Sequence, residues 1–285
     1  MAHALLALST GRPAAPQARR VVVKLGTAVL AGAGGAARGD RVRALVASVA
    51  ALRRAGREVL VVASGAVRTG AERLGIAGGP AGSAAARACA AVGQARLMAG
   101  WTEACERAGV VAAQLLVTGE DFAQPGRLAS LRAALGILLE QGVLPVLNEN
   151  DVVATSLADA GERGTGLRDN DRLAALVAVG VRADLLLILT DVPGLLTADP
   201  HGPRPGRLIP VVKRLTPRLE RAAGGPRVGR GGMRSKLEAA RLATRAGCAV
   251  VVADGREDRV VERVCAGEAV GTLFVPRPPG RSPDA

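Results

Sequence analysis

The chain has 285 residues, 49% of them hydrophobic, and a formal net charge of +13. This length is enough for one large α/β domain or two small ones with a buried core. No uncharged apolar run approaches the ~20 residues that a membrane span requires. The mildly apolar start has no preceding basic residue, so we interpret residues 1–18 as a loose extension and expect no signal peptide.

Cysteine usage indicates the compartment. The four cysteines are widely separated and form no CxxC pair: Cys89, Cys105, Cys248 and Cys265. This favours buried thiols in a reducing compartment over a disulfide framework or a zinc site. We therefore expect a soluble, cytoplasmic protein with no membrane partner.

The positive charge raises the question of nucleic-acid binding. The basic residues are spread along the chain in runs no longer than a pair, and there is no tyrosine, two phenylalanines and one tryptophan. A surface for stacking bases is therefore almost unavailable. We expect no nucleic-acid partner and attribute the charge to biased arginine usage, with anionic phosphate ligands as a secondary contribution.

Lysine is rare in this sequence. The sequence has three lysines, which are Lys24, Lys213 and Lys236. All the other residues in its lysine-plus-arginine total are arginines. Where arginine has replaced lysine nearly everywhere, a remaining lysine is a candidate for a required compact ammonium donor. Lys24 and Lys236 lie in or beside glycine-containing loops; the alternative is chance survival at solvated positions.

Short apolar runs alternate with segments of helical period along the chain. The runs predict strands at residues 21–25, 58–63, 110–117, 143–147, 184–189 and 249–253. Helical spacing is present at 42–52, ending at Gly56, and over roughly 83–108. Continuously apolar strands are typical of a parallel sheet covered on both faces. The sequence predicts an α/β fold, a three-layer αβα sandwich with a mainly parallel central sheet.

The carboxyl ends of these strands are the expected ligand site. They deliver the segments 24–27 (KLGT), 64–66 (SGA), 148–151 (NEND) and 190–191 (TD), and 169–171 (DND) opens the helix before the strand at 184–189. The crevice would then hold a lysine, glycine amides, small hydroxyls and several acidic or amide side chains.

A glycine loop, Gly229–Lys236, precedes a segment of helical spacing that starts at Met233. Its amides and the helix N-terminus suit phosphate, although the GxxxxGK[ST] pattern of a P-loop is absent. The two histidines, His3 and His201, leave little material for a Ser-His-Asp triad or a histidine zinc site. The remaining residues suit phosphoryl transfer, which needs positioning and charge neutralisation more than an acid–base pair.

Eight segments, in family order over about residues 20–275, resemble the glutamate 5-kinases of the amino acid kinase family. They are VVVKLGTAVL, VVASGAVRTGAERLG, AAVGQARLM, VLPVLNENDVVAT, RDNDRLAALV, LLILTDVPGLLTADP, GRGGMRSKLEAA and GTLF. The resemblance implies an amino acid kinase domain at residues 19–276. The remaining residues, 277–285, are too few and too rich in proline to fold alone, so we expect a disordered tail there. It also implies that ATP phosphorylates the γ-carboxylate of L-glutamate, the first step of proline synthesis.

The resemblance also implies roles for individual residues. Lys24 and Lys236 would stabilise the transferred phosphoryl group, and Asp171 would orient both lysines by ion pairing; the alternative for Asp171 is a helix cap. The residues implied for glutamate are Ser64, Gly65, Asp151 and Asn170. The residues implied for ATP are Lys24, Thr190, Asp191, Arg230, Gly231, Gly232, Met233, Arg234, Ser235 and Lys236.

The implied cofactors are ATP and Mg²⁺, with the ion held by ATP oxygens and water rather than by dedicated protein ligands. The family also implies a homodimer or homotetramer and feedback inhibition by proline. Many members carry a C-terminal PUA domain, which we expect to be absent here because the chain stops near the end of the kinase domain.

The sequence departs from the family pattern near the expected site. Threonine is usual where Arg230 and Ser235 stand, glycine is usual at Arg168, and an asparagine is usual at Ser130. Residues 157–168 have little likeness to the family. Two alternatives therefore stay open: a kinase of the same fold with another carboxylate, carbamate or phosphate acceptor, and a catalytically weak regulatory protein. The NENDVVAT and SGAVRTG segments favour glutamate.

Overall fold

The computed structural model of the protein describes residues 15, 17–27, 29, 35–77, 79–154, 170–198, 206–222 and 232–277. Its strands are β1 (Arg20–Leu25), β2 (Glu58–Val62), β3 (Ala112–Val117), β4 (Leu144–Glu149), β5 (Leu185–Thr190), β6 (Val211–Val212), β7 (Ala249–Asp254) and β8 (Thr272–Phe274). Its helices are α1 (Gly35–Arg54), α2 (Ala66–Arg73), α3 (Ser83–Arg107), α4 (Gly119–Ala123), α5 (Pro125–Glu140), α6 (Asn170–Gly180), α7 (Pro217–Ala222), α8 (Met233–Arg245) and α9 (Val260–Cys265).

The strands form one sheet in the order β3-β4-β2-β1-β5-β7-β8-β6. All its pairings are parallel except that of β7 with β8, which is antiparallel. Strand β1 lies in the middle, with Lys24 in register with Val62 of β2 and Ile188 of β5. The predicted α/β fold with a mainly parallel sheet is confirmed. The short strands β6 and β8 were not predicted.

Two hydrophobic cores cover the two faces of the sheet. Alternate residues of β1 point to opposite faces, so Val21 and Val23 join one core with residues of α1, α3 and α9. Val22 joins the other core with residues of α5, α6 and α8. This arrangement explains why the central strands are continuously apolar, because both sets of side chains leave water. All six residues of β5 are buried.

Strand β3 differs from the prediction of a sheet covered on both faces. It lies at the edge of the sheet and pairs with β4 among the described strands. Gln114 and Leu116 are exposed, and Val111 just before the strand is 67% exposed. The apolar run was therefore correctly assigned as a strand, but one of its faces is exposed rather than covered.

Helices α2 and α3 cross with their backbones in contact. A Cβ atom added to Gly70 of α2 would lie 1.8 Å from the carbonyl oxygen of Cys89, and one added to Gly93 of α3 would lie 1.8 Å from that of Ala66. Only glycine permits so close an approach at these two positions. Because α2 begins directly after Ser64 and Gly65, the crossing fixes the loop at the end of β2.

The four cysteines are free and buried, which confirms the prediction of buried thiols. Burial raises the pKa of Cys105 to about 11, of Cys248 to about 12 and of Cys265 to about 11. No helix in the described part of the chain combines the length and the apolarity that spanning a membrane would require. Ala15 and Ala18 are buried, while residues 1–14 and 278–285 lie outside the described residues, so the proposed limits of the extension and the tail stay predictions.

Candidate active site

Two lysines and one aspartate meet at the carboxyl end of the sheet. The Nζ atom of Lys24 lies 2.5 Å from Oδ1 of Asp171, and Nζ of Lys236 lies 3.1 Å from its Oδ2. Asp171 is fully buried, and each lysine is 4% exposed. A buried carboxylate between two ammonium groups leaves a net positive charge there, which suits an anionic ligand.

Three different elements bring this cluster together. Lys24 lies near the end of β1, Asp171 is in the first turn of α6, and Lys236 is in the first turn of α8. The amide of Gly26 donates to the carbonyl of Leu189 at 3.1 Å and ties the ends of β1 and β5 together. A Cβ atom at Gly26 would lie 3.0 Å from that same carbonyl oxygen, so glycine keeps the two strand ends close.

The carboxyl group of Asp171 is ionised in this environment. Burial alone would raise its pKa, but the charges of Lys24 and Lys236, together with hydrogen bonds from Lys24 and Ser235, outweigh burial and hold the pKa below its usual value. The Ser235 hydroxyl donates to Oδ2 at 2.7 Å. Serine, which stands where the family pattern has threonine, therefore supplies a hydroxyl to this carboxylate.

A second group of polar side chains surrounds Ser64 at the end of β2. The Nδ2 atom of Asn170 lies 2.7 Å from the carbonyl oxygen of Ala63, 3.0 Å from Ser64 Oγ and 2.9 Å from Oδ1 of Asn148. The Nδ2 atom of Asn148 donates in turn to Oε1 of Gln94 at 2.8 Å. Because Asn170 precedes Asp171, this group is adjacent to the lysine cluster.

The two remaining residues implied for glutamate lie in loops at the same edge of the sheet. Gly65 precedes α2 with φ of 106°, a conformation that favours glycine. Asp151 is half-buried in the turn after β4. That turn is fastened by the Asn150 amide, which donates to the carbonyl of Val117, and by Arg87, which donates to the carbonyl of Ala154 at 3.2 Å.

The residues implied for ATP follow β5 and open α8. Thr190 is buried, and its hydroxyl donates to the carboxylate of Asp191 at 3.2 Å. Gly232 precedes α8, where Met233 and Ser235 are half-buried, while Arg234 is exposed and pairs with Glu238. Arg230, Gly231 and Arg168 lie outside the described residues, so their predicted roles have no structural test.

Some residues at the site were not singled out from the sequence. Gln94 lies inside the AAVGQARLM segment, but no spacing rule identified it as a site residue. Arg256 donates to the carbonyl of Asp191 at 2.7 Å and pairs with Asp254 at the end of β7. Asp254 could have been found by applying the rule for strand ends to the run at 249–253.

The described residues include no group of three or more histidine, cysteine, aspartate or glutamate side chains placed to hold a metal ion. The acidic side chain at the centre of the site, Asp171, is occupied by two ammonium groups.

Known proteins share this fold. The model of the amino acid kinase family matches residues 19–254. The crystal structure of UMP kinase from Bacillus anthracis superposes with a TM-score of 0.59, covering 92% of this chain and 97% of that one. Its sequence identity is 16%, so this likeness concerns the fold.

Relatives with curated names give a narrower assignment within this family. The chain is 43% identical to glutamate 5-kinase of Trichlorobacter lovleyi, over 93% of this chain and 69% of the relative. It is 46% identical to glutamate 5-kinase of Deinococcus radiodurans, over 90% of this chain and 69% of the relative. The chain therefore belongs to the glutamate 5-kinases within the amino acid kinase family.

Proposed function

We propose that the protein transfers the γ-phosphoryl group of ATP to the side-chain carboxylate of L-glutamate, forming γ-glutamyl phosphate in the first step of proline synthesis. The structural observation that carries the proposal is the buried Lys24–Asp171–Lys236 cluster. Membership of the glutamate 5-kinases selects glutamate among the possible acceptors. Neither a different acceptor nor a regulatory homologue is favoured.

The reaction needs no catalytic base. A carboxylate oxygen of glutamate attacks the γ-phosphorus and forms a new P–O bond, while the bond from that phosphorus to the β,γ-bridging oxygen breaks. ADP leaves with the electron pair, and no proton moves, because the acceptor is already an anion. Catalysis then depends on positioning and on positive charge around the transferred group.

Lys24 and Lys236 supply this charge in the proposed mechanism. Both lysines are largely shielded from water, where electrostatic attraction to phosphate is stronger than at an exposed position. Asp171 holds both lysines at fixed positions and offsets part of their repulsion. It therefore acts as a positioning residue rather than as a metal ligand.

The acceptor binds, in this proposal, at Ser64, Gly65, Asp151 and Asn170. Since Ser64 Oγ accepts a hydrogen bond from Asn170, the hydroxyl hydrogen of Ser64 is available to a carboxylate oxygen of glutamate. The Gly65 amide is a further donor at the same place. Asp151 carries the charge that suits the ammonium group of an amino acid.

The nucleotide binds beside β5 and α8 in this proposal. Thr190 and Asp191 contact it at the strand end, and the N-terminus of α8 directs amides and a partial positive charge toward the phosphates. The loop residues are Arg230, Gly231, Gly232, Met233, Arg234 and Ser235. Mg²⁺ would be held by phosphate oxygens of ATP and by water and would neutralise phosphate charge, while the residues named above would hold the nucleotide.

We further propose a cytoplasmic homo-oligomer that is inhibited by proline. Four free, buried cysteines suit a reducing compartment. Strand β3 lies at an edge of the sheet and exposes Leu116, and Val111 just before the strand is also exposed, which is typical of a surface that pairs with another chain. Proline shares the α-carboxylate and the amine of glutamate, so competition at the acceptor site is the simplest form of inhibition.

The test is ADP release by the purified protein with Mg²⁺-ATP and L-glutamate, compared with aspartate, N-acetylglutamate and UMP. Hydroxylamine traps an acyl phosphate as a hydroxamate, which identifies the product. Hydroxamate formed with glutamate and with none of the other acceptors is the expected result. ADP release with a different acceptor would overturn the assignment of glutamate, and no turnover with any acceptor would overturn the kinase activity.

A further inference from the structure

A chain of side-chain amides connects helix α3 to the proposed acceptor site. It begins at Gln94, passes through Asn148 at the end of β4 and reaches Asn170 at the start of α6. At Asn170 the two hydrogens of Nδ2 are shared among Oδ1 of Asn148, Oγ of Ser64 and the carbonyl oxygen of Ala63. Gln94 thus lies two hydrogen bonds away from Asn170, outside the set of residues assigned to either substrate.

The orientation of each amide in this series is fixed by its neighbour. The carbonyl oxygen of Ala63 can only accept, so Asn170 must present Nδ2 to it, at 2.7 Å. The same nitrogen lies 2.9 Å from Asn148, which must therefore present Oδ1. The Nδ2 atom of Asn148 is then directed at Gln94, whose Oε1 accepts at 2.8 Å.

Gln94 thus accepts the hydrogen bond from Nδ2 of Asn148, the donor that lies farthest from Ser64 in this series of amides. Asn148 is 2% exposed, and its amide nitrogen would be an unpaired buried donor without the Gln94 oxygen. Rotating the Asn148 amide by half a turn would move that nitrogen away from position 94 but would place it against Nδ2 of Asn170, donor against donor. Either response disturbs Asn170 and, through it, the hydrogen bond to Ser64.

The backbone around Gln94 keeps its side chain in place. Gly93, the preceding residue, packs against α2 so closely that an added Cβ atom would lie 1.8 Å from the carbonyl oxygen of Ala66 and 2.5 Å from the amide of Gly70. Helix α3 is thereby fixed to the helix that follows Ser64. The distance between Gln94 and the acceptor loop therefore has little freedom to change.

We propose that Gln94 is a positioning residue for the acceptor site, which sets the orientation of Asn148 and Asn170 and so keeps the Ser64 hydroxyl free to donate to the acceptor carboxylate. This inference rests on the proposed function, because the acceptor is taken to be L-glutamate. Gln94 touches neither substrate in this scheme. Its loss is expected to affect acceptor binding much more than nucleotide binding.

The test compares two substitutions of similar length. Gln94→Met removes the acceptor oxygen, whereas Gln94→Glu retains one. For Gln94→Met, KM for glutamate is expected to rise about tenfold, the effect of one lost hydrogen bond in a buried network, with KM for ATP within about twofold of the parent. Gln94→Glu is expected to recover most of that loss. Gln141→Met, at an exposed glutamine just after α5, is the matched control and leaves both constants unchanged.

Melting temperatures and glutamate-induced thermal shifts are measured on the same proteins. If Gln94→Met gives no cooperative melting transition, Gln94→Ala replaces it at this half-buried position, with the same expected rise in KM for glutamate. An unchanged KM for glutamate, equal increases for both substrates, or no recovery in Gln94→Glu would overturn the positioning role. A parent protein without glutamate-dependent turnover would instead overturn the proposed function, so the two failures are distinguishable.

Discussion

The Nζ atom of Lys24 lies 2.5 Å from Oδ1 of Asp171, joining the end of the central strand to the first turn of α6. Neither group is stable alone in the interior, because an unpaired buried charge costs several kcal/mol. The pair therefore connects folding to the site: the sheet and α6 must both be in place before either charge is compensated. Lys236 also pairs with Asp171, so the first turn of α8 must be in place as well before its charge is compensated.

Lys236→Ala is expected to lower kcat by at least about 100-fold, because a charge that stabilises the transferred phosphoryl group is lost. The fold should persist, since Asp171 keeps its ion pair with Lys24. Lys213→Ala is the matched control, because Lys213 is exposed beside β6 and is expected to leave turnover unchanged. Steady-state ADP release measures both; near-normal turnover of Lys236→Ala would remove the charge-stabilisation role.

Asp171→Asn is expected to destabilise the protein by about 3 kcal/mol, because two buried ammonium groups lose their counter-charge. Chemical unfolding monitored by circular dichroism measures the change. Asp258→Asn, at an exposed position, is the control and should shift the free energy of unfolding by less than about 0.5 kcal/mol. Equal stability of Asp171→Asn and the parent would show that the carboxylate does not compensate the lysines.

The lowered pKa of Asp171 also predicts how stability depends on pH. A carboxyl group with a folded-state pKa below its ordinary 3.8 stabilises the fold fully above that value, and the contribution is lost as pH falls below it. Unfolding free energies measured between pH 6 and pH 3 should therefore fall more steeply for the parent than for Asp171→Asn. Parallel curves for the two proteins would contradict the assigned direction of the shift.

Gly93→Ala is expected to destabilise the protein by about 1–3 kcal/mol, since its new methyl group would overlap the Ala66 carbonyl and force α2 and α3 apart. Gly100→Ala, on the same helix with open space around it, is the control and should stabilise by about 0.5–1 kcal/mol. Thermal melting of the two variants separates a packing effect from helix propensity. A stabilised Gly93→Ala variant would show that the helices are not in backbone contact.

The edge strand provides a test of self-association. Leu116→Arg places a charge on the exposed face of β3 and is expected to reduce the oligomer mass measured by light scattering after size-exclusion chromatography. Leu74→Arg, an exposed leucine at the end of α2, is the control and should leave that mass unchanged. If both variants keep the parent's mass, the oligomer does not form through β3.

The strands that build the site were predictable because their physical signals are local. The apolar runs that became β1, β2, β4 and β5 are buried on both faces, and their polar continuations lie together at one edge of the sheet as the rule for strand ends requires. Strand β8 was missed because three residues, Thr272–Phe274, carry no periodicity.

The contacts within the site were less accessible to sequence reasoning. Nothing in the spacing of Gln94 and Asn148 indicates that their amides meet, since the contact depends on how α3 crosses the sheet. The edge position of β3 is likewise not indicated by the sequence. An apolar run has the same appearance whether a strand is covered by its own chain or by a partner, so composition alone cannot separate the two cases.

The buried thiols have a practical consequence. Cys105, Cys248 and Cys265 stay protonated at neutral pH, and Cys89 is fully buried, so maleimide reagents should leave the folded protein largely unlabelled. A single cysteine introduced at the exposed Lys213 would then be the one readily labelled position. The wild-type background is thus ready for fluorescence or spin-label reporters without first removing native cysteines.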